Sequence, residues 1–236
     1  MTNDSALAEL KRRARGISLG LYAADLGNLR AAASDTTEWG CDILHFDEMD
    51  GVFVPAMIGG PGIVKATSGT ALRDVHLMVD SPEKHVASYV NSGADMITVH
   101  AEASGSASAL SRIRQEASKS DRTVLAGIGL FPGTSLESID ELIAAKPDMV
   151  LILSLDPRDG KAPDITKATR RLAEMRKRLP EAVLAFDGGV TPNTIEEIAA
   201  ARPDMIVSGS AVMKADNPAQ AFASMRAIWQ KHQEIQ

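Results

Sequence analysis

The sequence contains one cysteine, Cys41, and no apolar run long enough to cross a bilayer. A single cysteine cannot close an internal disulfide, which suits a reducing compartment. A membrane-spanning helix needs about 20 apolar residues, and the polar, charged stretch 1–15 does not resemble a signal peptide. We therefore expect a cytoplasmic protein without a membrane segment, in which Cys41 is an inert core residue.

Positive charge is not in excess either. The 25 lysine and arginine residues are outnumbered by 31 aspartate and glutamate residues, so the formal net charge is −6. This balance argues against a broad surface for nucleic acid or anionic membranes, although a local pocket can still hold a small anion. Hydrophobic residues make up 44% of the chain, enough to fill the core of a sizeable globular domain.

Short apolar segments alternate with helical segments along the whole chain. Near-continuous apolar runs such as 149–153 are typical of parallel strands covered on both faces. The eight predicted strands lie at 16–25 (including an exit loop), 42–47, 74–79, 95–100, 123–130, 148–155, 182–187 and 204–208. A helix over residues 3–14 precedes them. Strict alternation over this length predicts a single (β/α)8 TIM barrel domain, residues 1–236, with the N-terminal helix plugging its bottom.

An open, doubly wound sheet is the second fold considered. The number of strands disfavours it, and so does the lack of a Gly-x-Gly-x-x-Gly motif after the first strand. A repeated helix-to-strand junction at residues 93–97, 146–150 and 202–206 favours the barrel instead.

Ionisable side chains gather at predicted strand ends. The ends of barrel strands open onto one face, where active sites lie. His45 and Asp47 share one side of the second strand because side chains alternate, and His76 and Asp187 lie at or near the ends of the third and seventh strands. Two imidazoles and two carboxylates suit a divalent metal such as Zn²⁺, Mn²⁺ or Fe²⁺. The alternatives are a structural His–Asp pair, a buried His76 bonded to the backbone, and a turn role for Asp187.

Two glycine-containing loops follow the last two strands. Gly188-Gly189 and Gly209-Ser210 occupy the usual phosphate-binding position of this architecture, where backbone N–H groups can approach an anion. Ordinary turns are the alternative. Nearby, His100 ends the fourth strand as a candidate contact behind the site, whereas Glu48 faces away and is expected to be solvated or paired.

Several segments resemble the ribulose-phosphate 3-epimerase family. Residues 44–55, 75–79 and 187–190 resemble its signature segments, and shorter matches follow in order at 24–26, 93–95, 132–134 and 208–211. The resemblance covers roughly residues 17–213. It implies a homo-oligomeric, metal-dependent 3-epimerase of a phosphorylated ketose, by default converting D-ribulose 5-phosphate to D-xylulose 5-phosphate through an enediolate.

The resemblance also assigns roles to individual residues. The implied ligands of one divalent metal (Zn, Mn, Fe or Co) are His45, Asp47, His76 and Asp187. Asp47 and Asp187 would also act as an acid/base pair on opposite faces of the substrate. Met49 and Met78 would contact the planar intermediate, although filling of the barrel core explains them equally well.

Two departures concern the far end of the substrate. Gly20 stands where the family usually has a serine, and residues 156–161 replace a glycine-rich Asn-Pro-Gly-Phe-Gly-Gly-Gln segment. We predict that Arg158, with Lys161, reaches the phosphate through its side chain. The alternative is a solvated loop in which Asp159 pairs with Arg158.

Three other functions are considered beside the default reaction. They are epimerisation of another sugar phosphate, a metal-assisted aldol cleavage or decarboxylation, and phosphate binding without catalysis. A Schiff-base aldolase is disfavoured because the predicted strands carry no lysine. A non-catalytic barrel would be expected to lack an intact pair of carboxylates.

Overall fold

The computed structural model describes residues 3–69 and 71–234, and its centre is a closed barrel of parallel strands. The strands are β1 (Gly16–Gly20), β2 (Ile43–Asp50), β3 (Met57–Ile58), β4 (Leu72–Met78), β5 (Met96–His100), β6 (Leu125–Leu130), β7 (Met149–Leu153), β8 (Val183–Asp187) and β9 (Met205–Ser208). All except β3 pair in parallel, and β1 closes the ring by pairing with both β2 and β9. The predicted (β/α)8 barrel is confirmed.

Helices connect the barrel strands and cover the outside. They are α1 (Asn3–Arg13), α2 (Leu29–Glu38), α3 (Pro61–Ala66), α4 (Val86–Ser92), α5 (Ser106–Lys119), α6 (Asp140–Ala144), α7 (Ile165–Arg178), α8 (Ile195–Ala200), α9 (Ser210–Met213) and α10 (Pro218–Glu234). Within the described ranges, no helix combines the length and the apolar character needed to cross a membrane.

Strand β3 was not predicted. The second strand was predicted to end at Asp47, with a loop after it, but β2 continues to Asp50 and pairs in antiparallel fashion with Met57 and Ile58. This short ladder folds the segment after β2 back beside the barrel mouth. The mouth therefore has a structured wall where a loop was expected.

Alternating side chains divide the apolar residues into two clusters. Outward-facing residues such as Phe46 and Phe186 pack beneath the helices, while inward-facing residues such as Met96, Met149 and Met205 fill the barrel. Burying each such side chain contributes on the order of 1.5–3 kcal/mol relative to leaving it exposed. The functional side chains at the strand ends stand on top of this filled interior.

Helix α1 closes the bottom of the barrel, as predicted. Its Leu10 joins the inward-facing cluster together with Ala14, which directly follows the helix. Ion pairs at the rim reinforce the contact, with Lys11 Nζ 3.4 Å from Asp148 Oδ1 and Arg15 Nη1 3.0 Å from Asp204 Oδ1.

The repeated junction in the sequence has a structural cause. Asp95, Asp148 and Asp204 each precede a strand, and each carboxylate accepts a backbone N–H of the neighbouring strand. The N–H···O distances are 2.9 Å to Arg73, 3.1 Å to Ala126 and 2.8 Å to Leu184. The junction thus satisfies polar groups at the bottom of the barrel, far from the strand ends that carry the site.

Candidate active site and metal centre

Four ionisable side chains meet inside the barrel mouth. β2 supplies His45 and Asp47, β4 supplies His76 and β8 supplies Asp187. Parallel register places Asp47 directly beside His76, and the strand alternation turns all four side chains inward. One nitrogen or oxygen from each residue lies within 4.8 Å of the others. The structure therefore brings together every residue that the sequence predicted as a metal ligand.

The contacts within this cluster are short. Asp47 Oδ1 lies 3.1 Å from His45 Nε2 and 3.0 Å from His76 Nδ1. Asp187 Oδ2 is 3.9 Å from the same His76 nitrogen. Both imidazoles are fully buried, whereas the carboxylates of Asp47 and Asp187 keep 33% and 18% of their side-chain surface exposed. The carboxylates can therefore meet a ligand that enters from the mouth.

The donor set fits a divalent cation of the transition series. Imidazole nitrogen and carboxylate oxygen bind such ions at about 2.0–2.2 Å, so two ligand atoms on one ion lie no more than about 4.4 Å apart. The observed limit of 4.8 Å encloses one cation after a contraction of a few tenths of an ångström. Bringing two carboxylates together in a buried site is costly unless a positive charge joins them.

The two carboxylates differ in proton affinity. Burial raises the pKa of Asp187 to about 6, and the neighbouring Asp47 carboxylate acts in the same direction. Burial alone would also raise the pKa of Asp47, but His45 and His76 bring it below its ordinary value. For His45, burial lowers the pKa, yet Asp47 and Asp74 outweigh it and hold the pKa well above the usual value. Asp47 therefore holds a proton less tightly than Asp187 does.

Further polar side chains lie behind the imidazoles. His45 Nδ1 is 2.6 Å from Asp74 Oδ2, and His76 Nε2 is 2.8 Å from His100 Nε2. His100 Nδ1 lies in turn 2.9 Å from Glu102 Oε2. The sequence identified His100 as a contact behind the site but missed Asp74 and Glu102. Their signal was available, since Asp74 lies two residues before His76 in β4 and Glu102 lies two residues after His100 in the turn that follows β5.

A cavity of about 590 Å³ leads from the two carboxylates to the glycine loops. Its lining includes Gly20, Asp47, Met49, Asp187, Gly188, Gly189, Gly209 and Ser210. The two aspartates predicted to act in catalysis and the glycine loops predicted to bind phosphate therefore line the same cavity. Met78 is placed differently, because it is 3% exposed and lies in the inward-facing apolar cluster.

Glycine is required by the geometry of the first loop. Gly188 and Gly189 have φ values of +93° and +64°, which L side chains rarely adopt. A Cβ at Gly188 would lie 2.8 Å from Ser154 Oγ, and one at Gly189 would lie 2.6 Å from Pro163 Cβ. Any larger residue at either position would therefore be strained and would collide with a neighbour.

The position occupied by Gly20 is also tight. A Cβ built there would lie 3.2 Å from Gly209 Cα. The close approach brings the end of β1 against the second glycine loop. A serine at position 20 would require the loop that contains Gly209 to shift. The glycine at position 20 and the conformation of that loop therefore depend on each other.

Arg158 lies on another side of the mouth. Its Nε and Nη2 are 2.8 Å and 2.6 Å from the two oxygens of Asp156, and its guanidinium lies 4.2 Å from the centre of the Phe131 ring. Lys161 pairs with Asp159 and Arg158 pairs with Asp156, so the Asp159–Arg158 pair considered as the alternative is wrong. The phosphate-binding role of Arg158 stays a prediction.

Glu48, on the outer side of β2, holds one wall of the cavity in place through hydrogen bonds. Of the two states expected for it, solvated or paired, the structure shows the paired one: Glu48 is 1% exposed and its carboxylate accepts three hydrogen bonds. It accepts the hydroxyls of Tyr22 and Tyr89 at 2.7 Å each, and the backbone N–H of Gly60. These bonds tether the segment that contains β3, whose residues line the cavity.

Replacing Glu48 with alanine is expected to destabilise the protein by on the order of 3 kcal/mol, because three donors lose a buried acceptor. Urea unfolding would measure the loss. Glu48→Gln, which keeps an acceptor of similar shape, is the matched control and should lose less. Equal stability of the alanine variant and the parent would contradict this role.

Comparisons with known proteins identify relatives of this chain. A profile of the Ribulose-phosphate 3 epimerase family matches residues 16–213. Ribulose-phosphate 3-epimerase of Schizosaccharomyces pombe is 32% identical over 224 residues, covering 92% of this chain and 95% of that protein. The Mycobacterium tuberculosis protein of that name is 36% identical over 219 residues, covering 89% and 91%. The Escherichia coli K12 protein is 34% identical, covering 89% and 94%.

Solved structures extend the comparison to the fold alone. The 3-hexulose-6-phosphate synthase from Salmonella typhimurium has a TM-score of 0.69 at 18% identity, covering 92% of this chain and 99% of that one. KGPDC from Streptococcus mutans has the same TM-score at 12% identity, covering 92% and 98%. Fold, site and sequence matches over about nine tenths of the chain lead to one conclusion: the chain belongs to the ribulose-phosphate 3-epimerase family.

Proposed function

We propose that this protein is a metal-dependent epimerase that inverts C3 of a phosphorylated ketose, with D-ribulose 5-phosphate and D-xylulose 5-phosphate as the first pair to test. The observation that carries the proposal is the meeting of Asp47 and Asp187 with two imidazoles at one end of a cavity whose other end is formed by glycine loops. This arrangement supports a site in which the two carboxylates would act as acid and base and the glycine loops would bind an anion.

Inversion at C3 needs two proton transfers on opposite faces of the carbon. The hydrogen on C3 is acidic because the neighbouring C2 is a carbonyl. In one direction, Asp47 removes this proton, the electron pair moves toward the carbonyl oxygen, and Asp187 returns a proton to the other face. The reverse reaction exchanges the two roles. Their separated proton affinities suit such a pair, since one group must be free and the other protonated.

The cluster would hold one divalent cation, Zn²⁺, Mn²⁺, Fe²⁺ or Co²⁺, through His45, Asp47, His76 and Asp187. When bound, such an ion supplies electrostatic stabilisation of negative charge on the carbonyl oxygen. Each carboxylate has two oxygens, so binding a cation through one of them would leave the other oxygen of Asp47 or Asp187 to exchange the proton on C3.

The phosphate end of the substrate is assigned to the loops that contain Gly188, Gly189, Gly209 and Ser210. Their position in the cavity supports this, and so does the absence of bulky side chains at the three glycines. Met49 lines the same cavity and would contact the reacting part of the ketose. A homo-oligomeric state and a cytoplasmic location stay predictions from the sequence.

Proton NMR in D₂O tests the proposal directly. The protein is loaded with each candidate cation and mixed with a panel of ketose phosphates and with unphosphorylated D-ribulose. We expect loss of the C3–H signal and appearance of the C3 epimer for a phosphorylated pentulose, with much slower exchange in the sugar that lacks phosphate. Release of an aldehyde or of carbon dioxide would favour a lyase instead. No exchange at C3 in any substrate would overturn the proposed function.

A further inference from the structure

The two histidines of the candidate metal cluster differ in what lies behind them. Asp74 Oδ2 lies 2.6 Å from His45 Nδ1, so a carboxylate accepts the proton of that ring directly. Behind His76 lies a second imidazole, with 2.8 Å between His76 Nε2 and His100 Nε2. His100 reaches a carboxylate in its turn, 2.9 Å from its Nδ1 to Glu102 Oε2. His76, His100 and Glu102 form a hydrogen-bonded row that leads away from the cluster.

Glu102, at the end of this row, determines the direction in which the hydrogen bonds of the row are donated. Glu102 also accepts the backbone N–H of Phe131 at 2.9 Å and the hydroxyl of Thr134, so three donors converge on it. An ionised carboxylate has no proton to give, and His100 therefore donates through Nδ1. The short contact between the two Nε2 atoms has room for one proton, which must come from His76.

That arrangement determines which nitrogen of His76 is free. With its proton on Nε2, His76 carries a lone pair on Nδ1, the atom that lies 3.0 Å from Asp47 Oδ1 inside the cluster. Packing holds the rings in place, because His100 is fully buried and stacks on Phe131 with a centroid distance of 4.0 Å. Phe131 is itself held by Glu102 through its backbone N–H.

We propose that His100 and Glu102 are positioning residues that hold His76 in the tautomer and orientation required to bind a divalent cation through Nδ1. The inference rests on the metal site of the proposed function. A metal-bound histidine generally donates its second N–H to a fixed acceptor, often a carboxylate. Here the carboxylate of Glu102 is bonded to His76 only through the imidazole of His100. Asp74, by contrast, accepts directly from His45.

Glu102→Gln is the decisive variant, because it reverses the direction in which the hydrogen bonds between residue 102, His100 and His76 are donated. The amide oxygen can still accept from Phe131 and Thr134, so the amide N–H₂ faces His100 and donates to it. His100 must then donate from Nε2, which leaves the proton of His76 on Nδ1, the side of the cation. We expect Zn²⁺ affinity, measured by chelator competition, to fall by roughly 10–100-fold.

Thr134→Val is the matched control. It removes another contact of the same carboxylate but leaves Glu102 facing His100. Its Zn²⁺ affinity should equal that of the parent. His100→Phe, which keeps an aromatic ring in the stack and removes the acceptor, should weaken Zn²⁺ binding as Glu102→Gln does. Thermal unfolding of each metal-free variant separates loss of fold from loss of binding.

Nitrogen NMR of the Zn²⁺-loaded parent tests the tautomer without relying on any variant. The chain has five histidines, so labelling them with ¹⁵N gives a readable spectrum. We expect the proton of His76 on Nε2 and a scalar coupling across the N–H···N bond to His100. A proton on Nδ1 of His76 would overturn the inference.

The affinity outcomes distinguish the inference from its premise. If the parent binds no Zn²⁺, the metal site of the proposed function and this inference both fail. If the parent binds Zn²⁺ and Glu102→Gln binds it equally well, the inference alone fails. Equal weakening by Glu102→Gln and Thr134→Val would show that the loss of affinity does not depend on the reversed hydrogen bonds between Glu102, His100 and His76, and would likewise overturn the positioning role.

Discussion

Asp187→Asn is expected to lower kcat for C3 epimerisation by at least ~10²-fold, the usual scale for loss of a positioned acid or base. The amide keeps an oxygen for the cation but cannot carry the proton across one face of the substrate. Asp47→Asn should lose net epimerisation to a similar degree. Both variants are assayed at saturating metal, so that a weakened metal site does not imitate a lost acid or base.

Hydrogen exchange makes this prediction more specific. Each variant retains one carboxylate, so each should still exchange the C3 proton of one epimer with D₂O. The two variants should retain proton exchange with opposite epimers, because Asp47 and Asp187 are proposed to face opposite sides of C3. Asp216→Asn, a change at an exposed aspartate outside the cavity, is the control. An Asp187→Asn enzyme that epimerises at the parental rate would contradict the two-carboxylate assignment.

Loss of both imidazoles from the cluster should abolish stoichiometric metal binding. We expect the parent to hold about one equivalent of Zn²⁺ per chain and the double variant His45→Asn His76→Ala to hold none after dialysis. Asparagine is chosen at position 45 because its N–H₂ can still donate to Asp74, which is fully buried. Leaving that carboxylate without a partner would cost several kcal/mol of stability and confuse the result.

The chain offers a matched control for this experiment. His85 is exposed and His232 pairs with Glu196 on the surface helices, so His85→Asn His232→Ala removes as many imidazoles without touching the cluster. Its metal content should equal that of the parent, as measured by elemental analysis. Similar metal content in the two double variants would refute a site built on His45 and His76.

The predicted ligands were recoverable from sequence because strand alternation is a local rule. His45 and Asp47 are two residues apart, so any strand through them turns both to one side, and the barrel directs strand ends to a common face. The glycine loops after β8 and β9 were recoverable for the same reason, since the order of strands along the chain is their order around the ring.

Partners that depend on packing between elements could not be predicted in this way. Glu48 was placed correctly on the outer face, but its burial results from Tyr89 of α4 and Tyr22 reaching the same carboxylate. Arg158 was placed in the correct loop, yet its partner is Asp156 and its guanidinium lies over Phe131. Such contacts depend on loop conformations that alternation and spacing do not specify.

The sequence by itself therefore determined the barrel, the order of its strands and the four candidate ligands, because periodicity and strand order are properties of the chain. Only the tertiary structure decided what stands behind those ligands. The row from His76 through His100 to Glu102 joins neighbouring strands, and the pKa difference between Asp47 and Asp187 depends on burial and on neighbours from other strands. Hydrogen bonds and electrostatic interactions of this kind act over a few ångströms in space, whatever the separation along the chain.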